Sequence, residues 1–173
     1  MDVLILRLIH IGAGAFWVGA VFALFLFVQP TAAALGPEGQ RFTVQLSRNA
    51  RLPIIILGSA VVAVAAGIIL LWRMTNGLDL DVIARHPALG FTIGGLAAIL
   101  TLAVGGLYVY PRTMRLVGMA SRLMAEGRPP DGDEQRTLGQ LRAQTRVAGW
   151  LVIAGLTVAV IAMATARYWG VLF

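Results

Sequence analysis

The sequence predicts an all-α membrane protein, a polytopic four-helix bundle formed as one domain over residues 1–173. Three observations predict it. The chain is 58% hydrophobic and 13% charged with a mean hydropathy of +0.82, whereas a soluble domain of this size carries about 25% charged residues. Four apolar runs each reach the roughly 20 residues that cross a bilayer as helix. All 14 basic residues are Arg, and they are spread unevenly between those runs. The composition excludes a soluble globular domain and a disordered chain. The absence of cysteine excludes a disulfide framework, a thiolate metal site and a cysteine nucleophile.

The first span covers 3–28, with Arg7 and His10 near its start and an uncharged stretch from Ile11 to Val28. Thr31-Ala32-Ala33-Ala34 looks like a small-residue cleavage site. The apolar stretch nevertheless exceeds the roughly 7–15 residues of a signal-peptide core, and the start carries Asp2 in place of a basic cluster, so the segment is read as a retained span. Gly36-Pro37-Glu38-Gly39 forms a turn, after which Phe42 and Leu46 are expected to run as helix into the second span, 52–72, with Pro53 near its start. The third span, 88–110, leads into an amphipathic stretch from Pro111 to Glu126, where Leu116, Met119 and Leu123 oppose Arg112, Arg115 and Arg122. Gly127 to Gly132 breaks the chain. Asp133 is expected to cap a helix running through Leu138, Leu141 and Arg146 into the fourth span, 147–166. Residues 111–146 thus read as a helical hairpin.

Ten arginines lie in the connections after the first and third spans, and four lie on the opposite side. Positive-inside counting puts the ten in the cytoplasm and both termini outside, in a bacterial inner membrane. The net charge of +6 is then mainly a topology signal, and no aromatic-interleaved basic motif points to nucleic acid. The arginine-bearing amphipathic edges read as anchors for anionic lipid headgroups, through Arg112, Arg115 and Arg122 on one side and a snorkelling Arg7 on the other. Docking of another subunit is the alternative.

The chain also repeats itself. One offset places Leu26, Val28 and Pro30 over Leu107, Val109 and Pro111, Gly14 over Gly95 and Phe27 over Tyr108. Gln45-Leu46 with Arg51-Leu52 has the internal spacing of Gln140-Leu141 with Arg146-Val147. Two hairpins of similar design follow one another, related by a pseudo-two-fold axis along the membrane normal. Small residues at Ala15 and Gly19, Gly90 and Gly94, and Gly105-Gly106 are expected to serve helix contacts, inside the monomer or between subunits of a homo-oligomer.

Ile9-His10 followed by Phe16-Trp17-Val18-Gly19 resembles the copper-resistance protein D superfamily of bacterial membrane proteins. Tyr110-Pro111-Arg112, Arg115-Leu116, Ala125-Glu126-Gly127 and Leu141-Arg142 look like one of its member families, a domain of unknown function known as predicted integral membrane proteins. The resemblance implies a four-helix bundle without a defined activity. The spacing of His10 and Trp17 is also similar to that of bacterial membrane-bound protoporphyrinogen oxidase, which implies a haem-associated histidine at His10. That family pairs its histidine with a lysine, and this chain has none.

Ionisable groups inside a bilayer are costly, which makes His10 the first functional candidate. His86 lies on the same side at the head of the third span, and Met163 lies close to His10 in depth. Histidine with methionine binds copper or ligates haem b, so His10 with Met163 or His86 is the candidate ligand set. Met74, Asp79 and Asp81 lie in the outer loop near His86, where either aspartate can cap a short helix. The structural alternative for His10 is a neutral imidazole bonded to a helix carbonyl or to Thr165. Trp17 is expected to bond across the bundle, and Trp72, Tyr168 and Trp169 to sit in interfacial belts. No nucleophile–base pair or phosphate-binding loop is present, and no carboxylate lies inside a span, which argues against a proton or ion transporter. The leading expectation is a non-enzymatic accessory or scaffolding component, and the rival is a copper- or haem-binding protein built on His10.

Overall fold

The computed structural model describes residues 2–169. Within them the chain forms six helices: α1 (Val3–Ala34), α2 (Pro37–Arg48), α3 (Leu52–Met74), α4 (Leu80–Ile83), α5 (Ala88–Glu126) and α6 (Gly132–Tyr168). Four of them, α1, α3, α5 and α6, are long and apolar enough to cross a membrane. Their outward faces carry bare apolar side chains, among them Leu107 at 81% exposure, Leu100 at 67% and Ile11 at 64%. Side chains of this kind need lipid around them. The protein is an integral, multi-pass membrane protein with an all-α fold.

Proline shapes α1 and α5 in the same way. Pro30 and Pro111 each lack an N–H and would clash with a carbonyl one turn back. In both helices the turn just ahead widens into a π-helical stretch, Leu24–Val28 in α1 and Val104–Val109 in α5. The Gln29 amide then reaches Leu24 O, and the Tyr110 amide reaches Gly105 O. These two pairs are related by the offset that aligns Leu26 with Leu107, so the repeat extends from side chains to backbone hydrogen bonding.

The arginine-bearing connections depart from expectation in two places. The helix after Gly36 does not run on into the second span: it stops at Arg48, and Arg51 adopts a left-handed conformation (φ 51°) before the chain restarts at Leu52 with Pro53 in the first turn. The corresponding stretch of the second hairpin passes through Arg146 unbroken. The cap of α6 is Asp131, not Asp133: its carboxylate accepts from the amides of Asp133 and Glu134, and Glu134 reaches back to the Asp131 amide, closing a capping box. The α1–α2 turn depends on two glycines. Gly36 adopts φ 58° and ψ −126°, open essentially only to glycine, and a Cβ at Gly39 would lie 1.9 Å from Ala32 O.

The bundle is two antiparallel hairpins, α1 with α3 and α5 with α6, joined mainly through α3 and α5. Trp17, Val21, Ala60, Ala63, Val152, Ile153 and Leu156 form its centre. Lipid supplies no hydrophobic drive between helices, so close approach over small residues holds them together. A Cβ at Gly90 would lie 2.7 Å from the Ala166 Cβ, and one at Gly149 would lie 1.7 Å from the Phe25 ring. Gly90 and Gly94 are internal contacts, as expected. Gly19 faces outward with open space around it, and Ala15 is likewise exposed.

Candidate functional site

His10 is set into a notch on α3. The imidazole Nδ1 lies 2.7 Å from the carbonyl oxygen of Ala63, which sits one helical turn before Gly67. A carbonyl only accepts, so Nδ1 carries the proton and donates. The ring reaches this carbonyl because residue 67 has no side chain: a Cβ there would lie 2.8 Å from Cε1 and 3.0 Å from Nδ1. One turn further along α1, a Cβ at Gly14 would meet the Ala63 Cβ at 3.9 Å, an ordinary contact. Of the two structural partners expected for His10, the carbonyl is the one used. Thr165 instead donates to Ile161 O and accepts from the Trp169 indole.

Fixing the proton on Nδ1 has a chemical consequence. In the neutral ring Nε2 then carries the lone pair, the state in which imidazole binds a metal. His10 is half-buried in the α1–α3 seam, toward the start of α1.

The two proposed co-ligands occupy other places. Met163 packs across the α5–α6 seam, where a Cβ at Gly94 would lie 2.7 Å from its Cγ. His86 is exposed at the start of α5 and meets Trp169 edge-on, with ring centroids 6.4 Å apart. The structure thus brings His86 to the end of α6 and Met163 to α5, while His10 belongs to α1 and α3. Among the described residues no three His, Asp or Glu side chains converge as a metal cluster. Asp79 caps α4, accepting from the Asp81 amide at 2.9 Å. Trp17 is buried in the bundle centre, and the cross-bundle hydrogen bond expected of its indole is absent among the described residues.

The arginines divide by partner. Arg122 pairs with Glu126 and Glu134, and Arg128 pairs with the same two carboxylates, closing the turn between α5 and α6. These two guanidiniums hold the Glu134 carboxyl at about 2, well below its usual value, with the Arg128 hydrogen bond as the largest cause and the Asp131 amide next. Arg122 is therefore engaged by the hairpin itself. Arg7 and Arg115 are exposed on α1 and α5. Arg112 is held differently: its guanidinium lies 3.3 Å above the centre of the Tyr108 ring, Nε donates to Gln144 Oε1 at 3.0 Å, and Nη1 donates to Tyr108 O at 3.1 Å.

Sequence reasoning missed Ala63 and Gly67, the two residues that seat His10. Their signal was present as a small-x-x-x-small pair in the second span, beside Ala60 and Ala66. It also missed Gly149 and Gly155, which receive Phe25 and Thr101. Comparison with protein-family models, curated proteins and solved structures finds no match to this chain.

Proposed function

We propose that the protein is a non-catalytic accessory component of a membrane assembly, in a bacterial inner membrane with its arginine-rich hairpins in the cytoplasm. The observation that carries the reading is the lipid-side face of α1. Gly12, Ala15, Gly19 and Ala23 recur there at intervals of three and four, all exposed, and a Cβ at Gly12 or Gly19 would meet nothing within 4 Å. The small-residue face of α5 at Gly90 and Gly94 is filled internally, by Ala166 and Met163. A bare small-residue stripe lets a further helix approach closely in lipid. The hydroxyls inside the spans add no competing chemistry: Ser59, Thr92, Thr101 and Thr157 each bond a carbonyl of their own helix. The test is native gel electrophoresis of membranes solubilised in mild detergent. Gly19→Ile is expected to release the chain from a larger complex, and a wild-type chain migrating as a lone monomer would overturn the reading.

A second reading has one specific observation in its favour, the proton fixed on His10 Nδ1. It leaves Nε2 free to hold a haem iron or a copper ion, consistent with the resemblance to the copper-resistance protein D superfamily. Such a group would supply electron-transfer or metal-handling chemistry. His10 fits as one ligand, while Met163 and His86 lie outside its seam, so the second ligand has no assigned source in this chain. Optical spectra and metal analysis of the wild type against His10→Ala decide it: a cofactor lost with the imidazole supports the reading, and identical, featureless spectra reject it.

A further inference from the structure

The geometry points to a binding site for one anionic phospholipid at the arginine-rich end of the second hairpin, with the phosphate on Arg112 and an acyl chain along the groove between α5 and α6. This site is independent of the accessory reading. A groove of about 500 Å³ opens there between the π-helical stretch of α5 and the facing side of α6. Val104 and Tyr108 form one wall, and Ala143, Val147 and Leu151 form the other. Val147 and Leu151 are each 62% exposed although the hairpin closes beside them. From Ala143 to Leu151 the α6 wall runs about 12 Å along the helix, at 1.5 Å per residue. A continuous apolar trough of this length, parallel to the spans, matches an extended hydrocarbon chain.

The charge at the groove's mouth selects the headgroup. Stacking on Tyr108 and two hydrogen bonds hold the Arg112 guanidinium rigidly, yet they use only Nε and Nη1. Nη2 takes part in neither bond. Glu38, Glu126, Asp133 and Glu134 pair with other arginines, and among the described residues no carboxylate neutralises Arg112. A pre-oriented guanidinium beside an apolar trough, where a span leaves the membrane, is the chemistry that recognises a phosphodiester with a tail. A free phosphate leaves the trough unexplained, and a zwitterionic headgroup brings no net charge to answer the arginine.

The repeat shows that the site was built once. The offset that aligns Pro30 with Pro111 places Phe27 opposite Tyr108 and Thr31 opposite Arg112. The first hairpin therefore has the bulge without the cation.

The test is native mass spectrometry of the full chain in detergent, titrated with phosphatidylglycerol or phosphatidylcholine. The wild type is expected to retain one phosphatidylglycerol in preference to phosphatidylcholine. Arg112→Gln is expected to lose that preference by about fivefold, the contribution of one arginine near an anionic membrane surface. Leu151→Trp, which fills the trough, is expected to weaken both lipids together. Millimolar inorganic phosphate is expected to leave retention unchanged. Equal lipid preference in wild type and Arg112→Gln, both folded by circular dichroism, would overturn the proposal. So would displacement of the lipid by phosphate alone, or a protein helix copurifying in the groove in place of lipid.

Discussion

Alanine at Gly67 places one methyl group where the His10 ring already lies. The added Cβ would sit 2.8 Å from Cε1 and 3.0 Å from Nδ1, so the ring must withdraw and give up its 2.7 Å bond to Ala63 O. Overfilling a packed site costs about 1–3 kcal/mol, and a hydrogen bond between membrane helices adds about 0.6 kcal/mol. Against this, alanine is favoured over glycine in a helix by about 1 kcal/mol. The overfilling wins, and Gly67→Ala is expected to destabilise the bundle by about 1–2 kcal/mol. With His10→Ala in the background the ring is gone and the methyl has room, so the same substitution becomes neutral or stabilising. The coupling energy of the pair is thus about 2 kcal/mol. Reversible unfolding by SDS in mixed micelles measures all four corners of the cycle. Coupling within about 0.5 kcal/mol of zero would show that His10 is not seated on Gly67 and would refute the geometry of the candidate site.

Two further outcomes concern the hairpin between α5 and α6. Asp131→Ala removes the acceptor for two amides and is expected to cost about 1 kcal/mol, read as lost hydrogen-exchange protection over the first turn of α6, with α1 unaffected. Glu134 titrates at about 2 in the folded hairpin against 4.5 ordinarily, so its ion pairs contribute in full above about pH 4.5 and fade as the pH falls toward 2. Protection factors around the turn should drop across that window in the wild type and not in Glu134→Gln, and a wild-type turn indifferent to acid would contradict the pairing.

Much of the fold was legible because lipid imposes a simple rule on sequence. A segment that cannot hydrogen-bond to solvent must be helical, so charge-free runs such as 88–110 announce themselves. The hairpin arrangement was legible too, since Pro30 and Pro111 stand at one offset, each behind the same widening of a turn. The break before Leu52 was not, because nothing local to Phe42–Leu46 requires the helix to stop: it ends at Arg48, and the next helix starts from a left-handed Arg51, a conformation that arginine does not favour. The cap shifted from Asp133 to Asp131 because the reciprocal bond from Glu134 needs a partner three residues earlier.

The candidate site was legible only in its single titratable member. His10 stood out because it is ionisable in an apolar span, but its partner is a main-chain carbonyl that any residue supplies. What selects Ala63 is the missing side chain at Gly67, and a glycine in an apolar run has several uses. Met163 and His86 share with His10 the half of the bundle that holds the start of α1, and depth along the bundle says nothing about which seam a side chain enters. Arg112 and Arg122 look alike in sequence; they part because Glu134 folds back on Arg122 while Tyr108 and Gln144 hold Arg112.

The accessory reading is tested most directly by cross-linking in native membranes, for which a chain without cysteine is well suited. A single cysteine at Gly19 probes the bare face of α1, and one at Leu100, 67% exposed on α5, probes an ordinary lipid-facing surface. The account predicts that the Gly19→Cys chain forms one discrete cross-linked product with a neighbouring membrane protein, while Leu100→Cys forms none. Equal behaviour of the two positions, whether both silent or both indiscriminate, would contradict it.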